Sequence, residues 1–133
     1  MRTTVVLSAW ACVLVLVSAG CASEVRREAV ELAPVAAEQG RRYVSTSDAE
    51  AVPESRYARR IARGTEFLAI GRIAQGLVLK PTTTVLTVEG AHMHEAYAVC
   101  RDGQIVGFYL PVERAFTPLV KPAPMPLQEK TSP

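Results

Sequence analysis

Cysteine is scarce: the 133 residues hold three, Cys12, Cys21 and Cys100. Three thiols so placed give no disulfide framework, so the domain must hold together without a staple. An excess of charge is missing too, with 15 lysines and arginines against 13 aspartates and glutamates. That balance offers no broad basic field for nucleic acid. Catalytic signatures are absent: there is no G-x-S-x-G, no H-E-x-x-H, no phosphate loop and no C-x-x-C. A chain of one small domain also has little room for a deep pocket. Together these absences argue against an enzyme and leave a binding or scaffolding role.

What is present is concentrated at the start of the chain. Met1-Arg2 is a short basic opening, and no charge follows until Glu24. Val5 to Val17 is mostly valine, leucine and alanine, and Ser18, Ala19 and Gly20 are small residues directly before Cys21. This is the layout of a secretory signal occupying residues 1–20, because cleavage needs extended backbone and tiny side chains in the peptidase cleft. The hexapeptide Leu16-Val17-Ser18-Ala19-Gly20-Cys21 resembles the lipobox of bacterial lipoproteins, with Ser18 where lipoboxes prefer leucine. The resemblance covers Met1 to Cys21 and implies cleavage between Gly20 and Cys21, with diacylglyceryl and acyl groups such as palmitate on Cys21. Ala22 follows, in place of the aspartate that retains lipoproteins in the inner membrane. The implied location is the periplasmic face of the outer membrane, held by lipid. Two or more chains make such an anchor stable, at ~0.8 kcal/mol per buried methylene. The competing reading is a single-pass inner-membrane anchor, since Thr3 to Ser23 is uncharged and as a helix could span ~30 Å. Its flanks, Arg2 against Arg26 and Arg27, give poor positive-inside asymmetry.

Beyond Cys21 the composition divides the chain into three. Residues 21–53 are rich in alanine, glutamate and arginine with few large apolar side chains, which predicts a flexible tether. Residues 54–117 predict a small helix-plus-β domain. Ser55 is placed to cap a short helix, Tyr57 and Ile61 fall at i and i+4, and Gly64 supplies a left-handed stop. On that helix Arg56, Arg59, Arg60 and Arg63 would form one basic stripe, either a solvated face or an anion-binding surface for headgroups, glycans or an acidic partner. From Thr65 the vocabulary turns to β-branched and aromatic residues broken by turn signals. Five strands are expected, over 65–73, 77–80, 83–89, 92–100 and 104–110, with Val112 to Phe116 as a further edge segment. Asp102-Gly103 is the strongest hairpin signal. The expected fold is mainly β, an antiparallel meander closed into a small barrel or packed under the helix. Residues 118–133, with five prolines, predict a disordered polyproline-like tail.

One cluster suggests metal. On a strand His92 and His94 would share a face, as two imidazoles must to hold zinc or copper, with further ligands borrowed from another strand. Cys100 is six residues beyond His94, ~20 Å along a strand, so it cannot join them from there. It is expected to be a buried, inert thiol. No cofactor is expected beyond the lipid. The leading expectation is an outer-membrane lipoprotein that binds another envelope protein or a cell-wall component. The alternatives are a metal-binding lipoprotein using His92 and His94, or a headgroup- or glycan-binding module using the arginine stripe.

Overall fold

The computed structural model describes residues 24–131. Among the described residues there are eleven strands and no helix. The middle of the chain follows the expected meander. β5 (Glu66–Ile73) turns into β6 (Gly76–Pro81), β7 (Leu86–Glu89) into β8 (Met93–Arg101), and β8 into β9 (Gln104–Leu110). Each pair is antiparallel. The β8–β9 turn has Asp102 at φ 52° and Gly103 at φ 74°, the two positive values that a two-residue turn needs to match strand twist. Alternation sends Phe67, Ala69, Leu79, Ala96, Ala98, Ile105, Phe108 and Leu110 into one core, all essentially buried.

The C-terminal stretch forms strands and corrects the expectation of a free tail. β10 (Ala115–Pro124) pairs with β9 through Pro118, leaves it over residues 119–122, and returns at Ala123 and Pro124. The Met125 N–H then donates to the Gly103 carbonyl at 2.9 Å, and β11 (Leu127–Glu129) pairs with β2 (Arg42–Ser45), itself paired with β5. The chain thus crosses from the β9 edge to the β2 edge between Pro124 and Leu127, which curls the sheet into a barrel-like closure over Met125, fully buried. Pro118 and Pro122 sit at and in the interruption, and Pro124 ends the strand, where missing N–H groups harm the ladder least. Proline count alone therefore misled.

Residues 24–53 do not form a tether either. Val25 is buried in the interior core, and β1 (Glu28–Ala29) pairs with β10 opposite Phe116 and Ala115. The chain then crosses the outer face of the sheet. Val30 and Leu32 cover a second cluster there, made of Ile73, Val78, Val99, Tyr109 and Phe116. Ala33 and Arg72 exchange both backbone hydrogen bonds at 2.8 Å. That approach requires glycine next door: a Cβ on Gly71, at φ 153°, would lie 2.5 Å from the Ala33 carbonyl oxygen. Val25, Val30, Leu32 and Tyr43 of this segment pack against the two clusters, a pattern that average composition cannot register.

The expected helix after Ser55 is absent for a similar reason. The Arg56 N–H donates to the Pro53 carbonyl at 2.8 Å, Arg56 takes φ 71°, and the chain continues as β4 (Arg59–Ile61) paired with β3 (Ala49–Ala51). Ala49, Ala51 and Ile61 are buried from this ribbon, while Tyr57 is 48% exposed. A helix face would have had Tyr57 and Ile61 side by side. The period-two match with β3 and burial of Ile61 outweigh local helix propensity. The ribbon leans on the β10 interruption, where the Val120 N–H donates to the Val52 carbonyl at 2.8 Å.

Candidate functional site

β7 has one partner strand. Leu86, Thr87, Val88 and Glu89 lie opposite Ala96, Glu95, His94 and Met93 of β8. Leu86 and Val88 are buried, which sets the register of the strand firmly. The Thr87 carbonyl accepts a 2.8 Å hydrogen bond from the Nε–H of Arg59, on β4. In an antiparallel strand the N–H and C=O of one residue point to the same side, so the main-chain groups of Thr87 face away from β8. They form an open strand edge.

The edge looks into a slot of about 270 Å³ between β7 and β4, lined by Arg59, Ile61, Thr65, Thr84, Val85 and Thr87. Val85 is 75% exposed beside it. A second nitrogen of Arg59 donates to Glu89 Oε2, also at 2.8 Å. The guanidinium therefore stands where an N–H of an added strand would reach the Thr87 carbonyl. Charged side chains at an edge are a common guard against unwanted pairing, and this one comes from β4, outside the β7–β8 ladder.

The other arginines of the expected stripe do not lie on a helix. Arg60 donates to Asp48 Oδ2 at 2.6 Å, and the Arg63 main-chain N–H donates to Asp48 Oδ1 at 2.7 Å. The Arg63 N–H and then the Arg60 guanidinium hold the Asp48 carboxyl below its ordinary value. Arg56 lies in the turn after Pro53. Without the helix, Arg59 and Arg60 are neighbours along β4, where alternation sends them to opposite faces, while Arg60 and Arg63 both act on Asp48.

The two histidines also separate. His92 is exposed in the turn before β8, with its carbonyl accepting from the Gly90 N–H, so strand alternation does not place it beside His94. His94 Nδ1 is 2.5 Å from Glu113 Oε1, and both side chains are largely covered. Burial pushes the Glu113 pKa up, but the His94 hydrogen bond, a main-chain hydrogen bond and the charges of His94 and Arg27 together hold it below its ordinary value. Among the described residues no group of three His, Cys, Asp or Glu is placed to hold a metal ion. Cys100 is buried, and desolvation pushes its thiol pKa up to about 12. Gly20, Cys21 and the alternative span from Thr3 to Ser23 lie outside the described residues.

The alternation of Leu86 and Val88 marked this strand in the sequence; the guard, 28 residues away on a segment read as helix, carried no local signal. Compared with protein-family models, curated proteins and solved structures, the chain has no match.

Proposed function

We propose that the protein is a lipid-anchored component of the bacterial envelope, held through Cys21 at the periplasmic face of the outer membrane. Its β domain binds an extended segment of another envelope protein, which adds as a strand to β7. The observation that carries this reading is the outward-facing Thr87 carbonyl, met by an arginine side chain in place of a strand. Main-chain hydrogen bonds would supply affinity, and the slot beside Val85 would accept alternate side chains of the added strand.

Short strands bind weakly. Only Thr87 and Glu89 of β7 present outward main-chain groups, roughly four hydrogen bonds at ~0.5–1.5 kcal/mol net each. The lipid anchor makes such a site useful, because confinement to one membrane raises the effective concentration of a partner held there.

The test uses a photo-crosslinking residue at Val85 in the membrane-bound protein, with Thr87→Pro as its control. The Thr87 N–H points away from β8, so proline there removes a docking donor and leaves the β7–β8 ladder and the fold intact. A discrete adduct at Val85 that disappears in Thr87→Pro, at unchanged melting temperature, is expected. An adduct that survives Thr87→Pro, or none at all, overturns strand addition at this edge.

A further inference from the structure

The domain begins almost at the anchor. Val25 is buried in the core, and it lies four residues beyond Cys21. At most ~3.6 Å per residue, that connection reaches ~14 Å, which leaves little room between domain and membrane. We propose that the domain sits directly on the bilayer, with the face around its N-terminal exit pressed against the phosphate headgroups; this rests on Cys21 being the lipid anchor.

The residues of that face are brought together by backbone geometry. Arg26 reaches Glu54 at 3.3 Å, the Arg56 N–H turns back to Pro53, and the Val120 N–H bonds to Val52. Arg26, Arg56, Tyr57, Val120 and Lys121 therefore lie on segments that these contacts join near the N-terminal exit. Tyr57 and Val120 are two of the five large apolar side chains left conspicuously exposed among the described residues, at 48% and 46%. A tyrosine and an aliphatic side chain among cations is the composition that lies well at a membrane–water boundary, with the rings and methyls at headgroup depth and the cations on phosphate.

Charge points the same way. Arg26, Arg27, Arg56 and Lys121 are met here by Glu24, Glu28 and Glu54, and Arg26 and Glu54 pair with each other. Arg26 and Arg27 also line a recess of about 270 Å³ with Glu28, Phe116 and Pro118, near the exit. Its lining joins two arginines and one glutamate to apolar Phe116 and Pro118, which leaves one positive charge in excess for a lipid phosphate.

The experiment uses the mature lipoprotein in vesicles of phosphatidylethanolamine and phosphatidylglycerol. A fluorophore is attached in turn to Tyr57→Cys, Val120→Cys and Gln128→Cys, each on an exposed position; the buried Cys100 thiol stays unlabelled. Quenching by iodide in the water is then compared. The labels at positions 57 and 120 should be shielded by about threefold or more relative to 128, as expected for side chains lodged among headgroups. Equal quenching at all three positions, with lipid on Cys21 confirmed by mass, overturns the seating and leaves the anchor standing. An unmodified Cys21 in the membrane-extracted protein overturns the anchor reading, and the seating falls with it.

Discussion

An alanine at Gly107 has nowhere to put its methyl group. Built on the native backbone, the new Cβ lies 2.4 Å from Phe116 Cε2, 2.5 Å from Phe116 Cζ and 2.5 Å from the Thr117 carbonyl oxygen. Unstrained contacts need ~3.5 Å or more, so about 1 Å of movement is required. Phe116 has little freedom to give it, being buried in the outer cluster with Tyr109, Val78 and Val99. The Thr117 oxygen is main chain, in the strand that pairs Thr117 with Phe108 and Pro118 with Gly107. Overpacking of this kind costs ~1–3 kcal/mol, and a backbone contact places it toward ~3 kcal/mol, a fall in Tm of ~10–20 °C for a domain of this size. Urea unfolding of wild type and Gly107→Ala, followed by circular dichroism, measures it. The same substitution in a Phe116→Leu background separates the two contacts: the shorter side chain relieves the ring clash and leaves the carbonyl. Gly107→Ala should then be milder by ~1 kcal/mol or more, yet still destabilising. A cost below ~0.5 kcal/mol, or equal costs in both backgrounds, refutes the packing of β9 against β10 described above.

Removing the guard at the β7 edge should strengthen docking, since a partner strand no longer has to displace two hydrogen bonds. Arg59→Ala is expected to tighten binding of the crosslinked partner by ~1–2 kcal/mol while changing stability by less than ~1 kcal/mol; weaker binding in a titration would show that Arg59 contacts the partner instead. The Glu113 carboxyl has a folded pKa below its ordinary value of 4.5, so its contribution is fully present above pH 4.5 and is lost as pH falls through the lower folded value. The urea midpoints of wild type and Glu113→Gln should therefore converge on acidification below that pH, and a gap that widens there contradicts the ion pair with His94. With its thiol pushed up to about 12, Cys100 should resist thiol reagents at neutral pH in the folded protein and react fully in denaturant. Labelling of native protein at the rate of a free thiol would mean that the residue is not enclosed as described.

Local contacts were legible in the chain. The alternation of Phe67 with Ala69, and of Ala96 with Ala98, marked strands, and Asp102-Gly103 marked their sharpest turn, because a hairpin joins residues that are neighbours in sequence. The rest depended on partners far along the chain. Ala33 bonds to Arg72, Pro53 bridges to Leu119, and Ser45 lies opposite Leu127. No window of sequence contains both members of any of these pairs. Segments that look too polar or too proline-rich to order by themselves become strands once an existing edge supplies the hydrogen bonds and an existing face covers Val25, Val30, Leu32 and Met125. The same holds for the candidate site. Leu86 and Val88 determined that a strand would lie there, since burying both requires that periodicity. Only tertiary structure decided that its outer edge stays open and that Arg59 stands in it, because the helix suggested by local propensity lost to the ribbon that buries Ile61.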